Sequence, residues 1–353
     1  MPTKHRCLMI GAGGMAAGWI RGICPRYFDR MEIVGLVDVN PEPLHAQGDF
    51  LNLPGERRFA SQEEAFANVE ADFCIICIPP AFHEESVMLA VERNMPILSE
   101  KPIADSWEAS VRIYRAVRQA GLKMMVTQNY RYTPRIETFK EVLTSGRLGR
   151  LNYLVSRFAA DYREYGSWGV FRHEIPHALL VEGGIHHFDQ IRNLAGADCA
   201  TTFGHEWNPE WSNFKGESNG LYVMRMTNGV PAHYEGSCNA VGHQTSWHHE
   251  YYRAECEGGA VVLDADDSVW IQEHKPHEGM MLTKPLHRHA EHEGHQAIVW
   301  QFLNWLDGGE TPATEIGDNL KSVAMLFGAI EASETGAPVD VAAKVREATG
   351  GDG

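Results

Sequence analysis

Ten residues near the middle of the chain combine side chains that can move protons with a stretch of bare backbone. The segment VEGGIHHFDQ, residues 181–190, places Glu182, two adjacent histidines and Asp189 around Gly183 and Gly184. Because imidazole titrates near neutral pH and a carboxylate can orient it, acid–base chemistry is one interpretation. The two other interpretations are a metal site and the start of an ordinary helix that carries polar side chains.

The spacing within this segment separates the two histidines. If Pro176 begins a helix, as proline does at the first helical position, Glu182, His186 and Asp189 share one face, and His187 is turned about 100° away. We therefore expect His186 to be the catalytic imidazole, with His187 at the pocket rim. The two glycines cost a helix about 1 kcal/mol each relative to alanine, which fits a ligand pressed against backbone there. A helix that starts after the glycines is the alternative.

A metal centre is not expected from the histidine pattern. Zinc needs several ligands that converge on one point. His173 and His177 have helical spacing, but Pro176 between them places His173 before the helix. The later histidines from His274 to His295 lie in a polar segment without ligand spacing, which is typical of a solvated excursion.

The elements that must position such residues differ between the two parts of the chain. Residues 1–128 alternate short apolar runs with amphipathic helical segments, the pattern of a parallel sheet covered by helices on both faces. After NYRYTP, alternating strands dominate, and Asn228-Gly229 predicts a hairpin. The sequence predicts an α/β domain with a doubly wound parallel sheet over residues 1–128. It predicts an α+β domain with an open, mainly antiparallel sheet and flanking helices over residues 129–353.

A glycine-rich turn follows the first apolar run and opens a helix. In LMIGAGGMA, Gly11 permits the tight turn, Gly13 lets the backbone approach a pyrophosphate, and Ala16 keeps helix and strand close. Asp38 ends the second run, where a carboxylate accepts hydrogen bonds from ribose hydroxyls and repels a 2′-phosphate. This pattern favours NAD over NADP, and a simple turn residue is the alternative for Asp38.

Composition restricts the partners and the compartment. The formal net charge of −16 argues against nucleic acid and anionic membranes, and no run reaches the ~18 apolar residues that span a bilayer. The seven cysteines have no regular spacing, and Cys74 and Cys77 fall in a strand-like apolar run. Glycines interrupt the apolar stretch near the N-terminus, so we expect no signal peptide there. We expect a cytoplasmic protein with a small-molecule substrate.

Several motifs together resemble one family. GAGGMA, IPPAFH, EKP at residues 100–102, NYRYTP and EGGIHHFD follow the order and spacing of the Gfo/Idh/MocA oxidoreductases (glucose–fructose oxidoreductase, inositol dehydrogenase and rhizopine catabolism) over essentially the whole chain. The resemblance implies an N-terminal Rossmann domain and a C-terminal sheet that is often used for oligomer contacts. It also implies NAD(P)-dependent oxidation or reduction of sugars, cyclitols or related polyols. A homodimer or homotetramer is therefore expected.

The resemblance also assigns roles by position. Lys101 would be the lysine beside the nicotinamide and the reacting hydroxyl, and His186 would exchange the substrate proton; either could be the formal base. The family usually carries aspartate four residues before that histidine, whereas this chain has Glu182. Glu182 could therefore orient His186, contact the substrate or do neither. The cofactor-binding residues expected on this basis are Gly11, Gly13, Gly14, Met15, Ala16, Asp38, Pro79, His83, Glu100, Lys101, Asn129 and Arg131. For Asn129 and Arg131, a hinge contact is the alternative.

The substrate is expected to meet an aromatic segment between the sheet and the histidine helix. Residues 161–177 could offer rings to the apolar faces of a sugar and polar groups to its hydroxyls. The predicted substrate-binding residues are Tyr162, Trp168, Arg172, His173 and His187. An interface or core role for the aromatics is the alternative, and QTSWHHEYY, residues 244–252, is a weaker candidate.

These observations favour an NAD-dependent dehydrogenase that acts on a secondary alcohol of a polyol. A glycoside-cleaving enzyme that uses transient oxidation at NAD is one alternative. A non-catalytic nucleotide-binding sensor is another, although a sensor needs neither Lys101 nor His186.

Overall fold

The computed structural model describes residues 4–245 and 247–351. The chain forms two compact units. The first runs to Asn129 and also includes Gly294–Leu320, and the second comprises Tyr130–Glu293 and the chain from Lys321 onward. The predicted single boundary after residue 128 therefore misses one segment. Gly294–Leu320 belongs to the first unit, although it lies far beyond residue 128 in the sequence.

The strands fall into two groups along the chain. The first group is β1 His5–Ile10, β2 Met31–Val37, β3 Arg58–Phe59, β4 Phe73–Ile76, β5 Ile97–Ser99 and β6 Met124–Val126. The second group is β7 Leu151–Ala159, β8 Cys199–Trp207, β9 Asn219–Met226, β10 Pro231–Ser237, β11 Tyr251–Cys256, β12 Gly259–Leu263, β13 Val269–Lys275, β14 Gly279–Thr283 and β15 Val339–Asp340.

Helices lie between the strands of the first group, whereas β8 to β14 of the second group follow one another without a helix. The helices are α1 Gly14–Gly18, α2 Pro41–Phe50, α3 Gln62–Asn68, α4 His83–Glu92, α5 Trp107–Gln119, α6 Pro134–Thr144, α7 Val170–Glu174, α8 Ile185–Ala195, α9 His295–Leu306, α10 Ile316–Thr335 and α11 Val341–Thr349. Single π-helical turns at Trp19–Ile23 and Leu179–Gly184 continue α1 and precede α8. Among the described residues, no helix is long and apolar enough to cross a membrane.

The first unit contains a doubly wound parallel sheet. Its strand order is β3-β2-β1-β4-β5-β6, and every adjacent pair is parallel. β4 is buried along its whole length, as expected for a strand covered on both faces, and Phe73 packs against Phe302 of α9. The predicted Rossmann fold is confirmed, and its carboxyl strand ends are where such sheets bind ligands.

The second unit contains an open, mainly antiparallel sheet, as predicted. Its order is β14-β13-β12-β11-β7-β10-β9-β8-β15, and β7 with β10 is a parallel pair. β9 alternates exposed and buried side chains, so one face of the sheet packs on helices and the other is open. The hairpin predicted at Asn228-Gly229 joins β9 to β10, with Gly229 at a φ of +87°.

Candidate active site

The glycine turn lies at the end of β1. Gly11 has a φ of +107°, and a Cβ there would lie 2.2 Å from the carbonyl oxygen of Cys77, so the position requires glycine. Gly14, with a φ of +46°, begins α1. The first N–H groups of a helix have no partner within the helix and suit a phosphate group. This arrangement fits the pyrophosphate of a dinucleotide.

Asp38 fastens this turn to the end of β2. Its Oδ2 accepts hydrogen bonds from the backbone N–H groups of Ala12 at 2.8 Å and Gly13 at 3.1 Å. Its Oδ1 accepts from the N–H of Asn40 at 2.8 Å. A carboxylate has about four lone-pair sites, so ribose hydroxyls can still bind beside these donors. The carboxylate therefore has a structural role that the sequence interpretation did not include.

A cavity of about 390 Å³ opens beside Asp38. It lies at the carboxyl ends of β1, β2 and β4 and has an apolar floor that includes Ile10 and Val37. Glu63 and Glu85 add two more carboxylates to the lining. The remaining lining residues are Val39, Ala60, Ser61, Gln62, Ile78, Pro79 and Phe82. An apolar cavity with a carboxylate for the ribose suits the adenosine half of NAD.

Lys101 follows β5 next to a buried acid. Glu100 is 8% exposed, accepts a hydrogen bond from the indole N–H of Trp19 at 2.8 Å, and lies 3.7 Å from His295. Burial alone would raise the pKa of Glu100, but His295, Lys101 and Trp19 hold it below its usual value. Glu100 also accepts from the backbone N–H of Lys101 at 3.2 Å, so a charged carboxylate fixes the segment that carries the lysine.

The start of the histidine helix differs from the prediction. Pro176 does not begin it, because Pro176 lies in a turn and His177 has a φ of +50°. A π-helical turn, Leu179–Gly184, comes first, and the α-helix proper begins at Ile185, after the glycines. A Cβ at Gly183 would lie 3.3 Å from the Trp247 ring, so that glycine makes room for an indole.

His186 sits in an aromatic cluster. His186 is only 3% exposed. Its imidazole stacks on the Tyr130 ring, with the ring centroids 4.3 Å apart and the ring planes 6° apart. Trp247 meets the same imidazole edge-on at 5.8 Å, and Trp168 meets Trp247 at 5.6 Å. Tyr162 stacks on Trp168 at 5.2 Å. The cluster fixes the plane of the imidazole and surrounds it with apolar rings.

The acids on either side of His186 pair with arginines. Glu182 accepts a hydrogen bond from Arg172 Nε at 2.9 Å. Asp189, fully buried, accepts two hydrogen bonds from Arg131 at 2.7 Å and a third from Ser322 at 2.7 Å. Hydrogen-bonded ion pairs of this kind fix the positions of the two segments that they join. The two acids predicted to share a face with His186 are thus both paired with arginines, Glu182 in the π-helical turn and Asp189 in α8.

Matches to known families cover both units. Residues 5–128 match the model described as "Oxidoreductase family, NAD-binding Rossmann fold", and residues 136–262 match the GFO/IDH/MocA C-terminal domain. The chain belongs to the Gfo/Idh/MocA family. Its first unit is therefore an NAD-binding Rossmann domain.

Similar proteins span the length of this Gfo/Idh/MocA chain. The uncharacterized protein y4oX of Sinorhizobium fredii is 39% identical over 96% of both chains. A D-apiose dehydrogenase of Rhizobium rhizogenes is 25% identical over 88% of this chain and 90% of its own. The crystal structure of an oxidoreductase from Agrobacterium radiobacter in complex with NAD⁺, L-tartaric acid and magnesium superposes with a TM-score of 0.83. It is 23% identical, and the match covers 97% of this chain and 99% of that one.

Three histidines of this Gfo/Idh/MocA protein have positioning roles in place of the predicted ligand contacts. His83 is fully buried, with its ring nitrogens 2.9 Å from the Ile78 carbonyl and 3.0 Å from the Pro102 carbonyl; burial lowers its pKa. His173, also fully buried, lies against the carbonyls of Tyr162 and Gly169. Imidazoles enclosed in this way position loops and are unavailable to ligands.

His187 is the third of these buried histidines. Its Nδ1 lies 2.9 Å from the Tyr234 hydroxyl and its Nε2 lies 3.6 Å from Glu250, and the residue is fully buried. Burial alone would raise the pKa of Glu250, but His187 and Arg135 hold it below its usual value. The predicted place of His187 at the pocket rim is wrong, because the helix turns this imidazole into the core.

The remaining predicted residues are divided between the two units. In the first unit Gly11, Gly13, Gly14 and Asp38 form the turn and Pro79 lines the cavity, whereas Ala16 is buried and Met15 is 52% exposed. Asn129 is buried at the start of a short 3₁₀ turn. Arg131, predicted to bind cofactor, commits its guanidinium to Asp189. In the second unit Tyr162, Trp168 and Arg172 surround the cluster of His186.

Two groups of functional candidates were not selected from the sequence. Trp247 and Tyr130 form most of the wall around His186, and Glu63 and Glu85 line the adenosine cavity. Trp247 lies within the segment considered a weaker candidate. Glu63 follows β3, a strand of two residues that gives no apolar run to recognise.

Proposed function

We propose that this protein is an NAD-dependent dehydrogenase that oxidises a secondary alcohol of a sugar, cyclitol or related polyol. The observation that carries the proposal is the enclosure of His186, an imidazole held by stacking on Tyr130 inside a cluster of aromatic rings. A proton acceptor of fixed orientation beside apolar rings matches the needs of a polyol, whose C–H faces stack on aromatics while a hydroxyl reacts.

His186 takes the proton of the reacting hydroxyl in this proposal. An imidazole with an ordinary pKa of about 6.5 accepts a proton near neutral pH without a large thermodynamic cost. Tyr130 and Trp247 restrict rotation of the ring, which lowers the entropy lost when the reactive geometry forms. Glu182, paired with Arg172, supports the π-helical turn that leads into the helix of His186.

Lys101 stabilises the negative charge that develops on the same oxygen. Its ammonium group donates hydrogen bonds that strengthen as the hydroxyl loses its proton, so the group lowers the barrier selectively. Glu100, anchored by Trp19, fixes the backbone from which this lysine extends. NAD, when bound, supplies the acceptor for the hydride of the carbinol carbon, so that the alcohol becomes a carbonyl.

The carboxylates of the adenosine cavity favour NAD over NADP. Asp38, Glu63 and Glu85 all line it, and a 2′-phosphate there would meet three negative groups. The D-apiose dehydrogenase among the relatives acts, by its name, on a sugar, which agrees with the substrate class proposed for this chain.

A screen of sugars, cyclitols and sugar acids with NAD and NADP in parallel tests the proposal. We expect at least one polyol to reduce NAD, seen as absorbance of the reduced nicotinamide, with NADP used less efficiently. Release of an aglycone from glycosides without net NADH would establish the glycoside-cleaving alternative instead. Nucleotide binding without turnover of any polyol or glycoside would identify a sensor and overturn the proposal.

A further inference from the structure

A cluster of one histidine and three glutamates lies in the second unit, apart from the residues assigned to catalysis. His177 Nδ1 lies 2.5 Å from Glu206 Oε1 and 3.3 Å from Glu217 Oε2. The potential ligand atoms of His177, Glu206 and Glu217 all lie within 4.8 Å of one another. Glu334 of α10 lies 3.9 Å from the other ring nitrogen, Nε2. Three carboxylates around one imidazole leave an excess of negative charge.

One carboxylate of this cluster is buried with an unused oxygen. Glu206, at the end of β8, is 4% exposed, and its Oε2 has no hydrogen-bond partner among the residues that the structure describes. Burying a carboxylate oxygen without a partner is costly, so such an atom in a cluster of ligand-type groups points to a cation.

The backbone around the cluster is held in place before any ion binds. A Cβ at Gly216 would lie 2.2 Å from the carbonyl oxygen of Ile175, so the segment before β9 packs directly on the segment before His177. The N–H of His177 donates to Glu217 Oε2 at 3.1 Å, and the N–H of Leu179 donates to the Glu217 carbonyl at 3.1 Å. Such preorganisation reduces the entropy lost on binding.

We propose that His177, Glu206 and Glu217 bind a divalent first-row transition metal ion, with zinc as the reference ion. An imidazole nitrogen together with carboxylate oxygens favours zinc-type ions over magnesium, which prefers oxygen ligands alone. Ligand atoms on a tetrahedral zinc lie about 3.4 Å apart, as Nδ1 and Glu217 Oε2 do here, and Glu206 has to withdraw by about 1 Å. Solvent can supply the fourth ligand, because His177 and Glu217 are partly exposed.

The ion would lie between segments that are far apart in the chain. With Nδ1 on the metal, Nε2 of His177 carries the ring proton, and Glu334 lies 3.9 Å from it. The ion would tie the segment before the π-helical turn to β8 and to the segment before β9, so we assign it a structural role.

Zinc binding by the full-length protein tests this site independently of the proposed enzyme activity. Protein treated with a chelator and dialysed is equilibrated with Zn²⁺, and bound metal is counted by mass spectrometry. We expect one site-specific zinc per chain and a higher Tm with Zn²⁺ than with the same concentration of Mg²⁺.

Two variants and two controls separate the site from other histidines and acids. His177→Asn removes the ligand but suits the φ of +50°, since asparagine tolerates the left-handed region, so the fold should persist by circular dichroism. We expect this variant to lose one zinc and Glu217→Gln to bind at least about tenfold more weakly. The exposed controls His274→Asn and Glu210→Gln should bind as the wild type does. Equal zinc stoichiometry and affinity in the wild type and His177→Asn, or no zinc bound by either, would overturn the proposal.

Discussion

Two side chains carry the chemistry of the proposed reaction, and their loss has a distinct signature. We expect His186→Asn and Lys101→Met each to lower kcat by about 10²–10⁴-fold, because each removes proton transfer or charge stabilisation from the transition state. The Kd for NAD should change little. Steady-state kinetics and nucleotide titration measure the two effects, with His274→Asn as the histidine control. Near-normal kcat in either variant would remove that residue from the mechanism.

We propose that the charge of Asp38 favours NAD over NADP. Asp38→Asn keeps a side chain of the same size, with an oxygen that can accept from the N–H groups of Ala12 and Gly13. It removes the negative charge that repels a 2′-phosphate. We expect the ratio of kcat/KM for NAD to that for NADP to fall by about tenfold, since one close charge–charge repulsion is lost. Glu42→Gln in α2 makes the same change of charge outside the cavity lining and should leave the ratio unchanged. An unaltered ratio in Asp38→Asn would show that the remaining acids or shape set the preference.

For single residues, the sequence predicts which residue types belong to the site better than it predicts the groups with which they pair. Lys101 and Asp38 could be placed because strand ends in a parallel sheet are known from the apolar runs that precede them. The partner of Arg131 is Asp189, 58 residues away in sequence, and only the packing of the second unit brings them together. His83 and His187 were selected as ligands because a motif shows the residue type and leaves the surrounding carbonyls and acids unspecified.

We expect nucleotide binding to depend on the glycine turn. In Gly11→Ala the new Cβ would lie 2.2 Å from the Cys77 carbonyl at a φ of +107°, so the turn has to move away from β4. We expect NAD binding to weaken by at least tenfold and the Tm to fall, because strained backbone at such positions costs about 1–3 kcal/mol. Gly22→Ala, where a Cβ meets nothing within 4 Å, is the matched control. Wild-type NAD affinity in Gly11→Ala would contradict this account of the turn.

The elements of the first unit follow from its sequence, whereas the start of the histidine helix does not. Continuous apolar runs and a capping serine at Ser61, which accepts from the N–H of Glu64, are local signals. At the π-helical turn Leu179–Gly184, Trp247 of a distant segment packs on Gly183, and local sequence does not show this contact. The alternation of β8 is hard to recognise because polar Thr202 and Glu206 are buried, whereas apolar Phe203 is exposed.

The open face of the second sheet exposes apolar side chains to solvent. Phe203, Leu221 and Val223 are 48%, 45% and 58% exposed on β8 and β9, and Phe203 and Val223 are paired across the two strands. Glu235 on β10 and Arg157 on β7 are partly exposed and pair with each other. A flat apolar patch bordered by charges is typical of a protein–protein interface.

We propose that a second copy of this chain covers that patch through a two-fold contact, since the same surface on both copies closes the assembly. The double variant Leu221→Glu/Val223→Lys places charges at the centre of the contact and should convert a dimer or tetramer to monomers. Light scattering coupled to gel filtration measures the mass, and circular dichroism checks the fold. Leu286→Lys, at a loop position 94% exposed, is the control and should keep the wild-type mass. A wild-type protein that is monomeric at tens of micromolar, or a double variant of unchanged mass, would show that the patch serves another purpose.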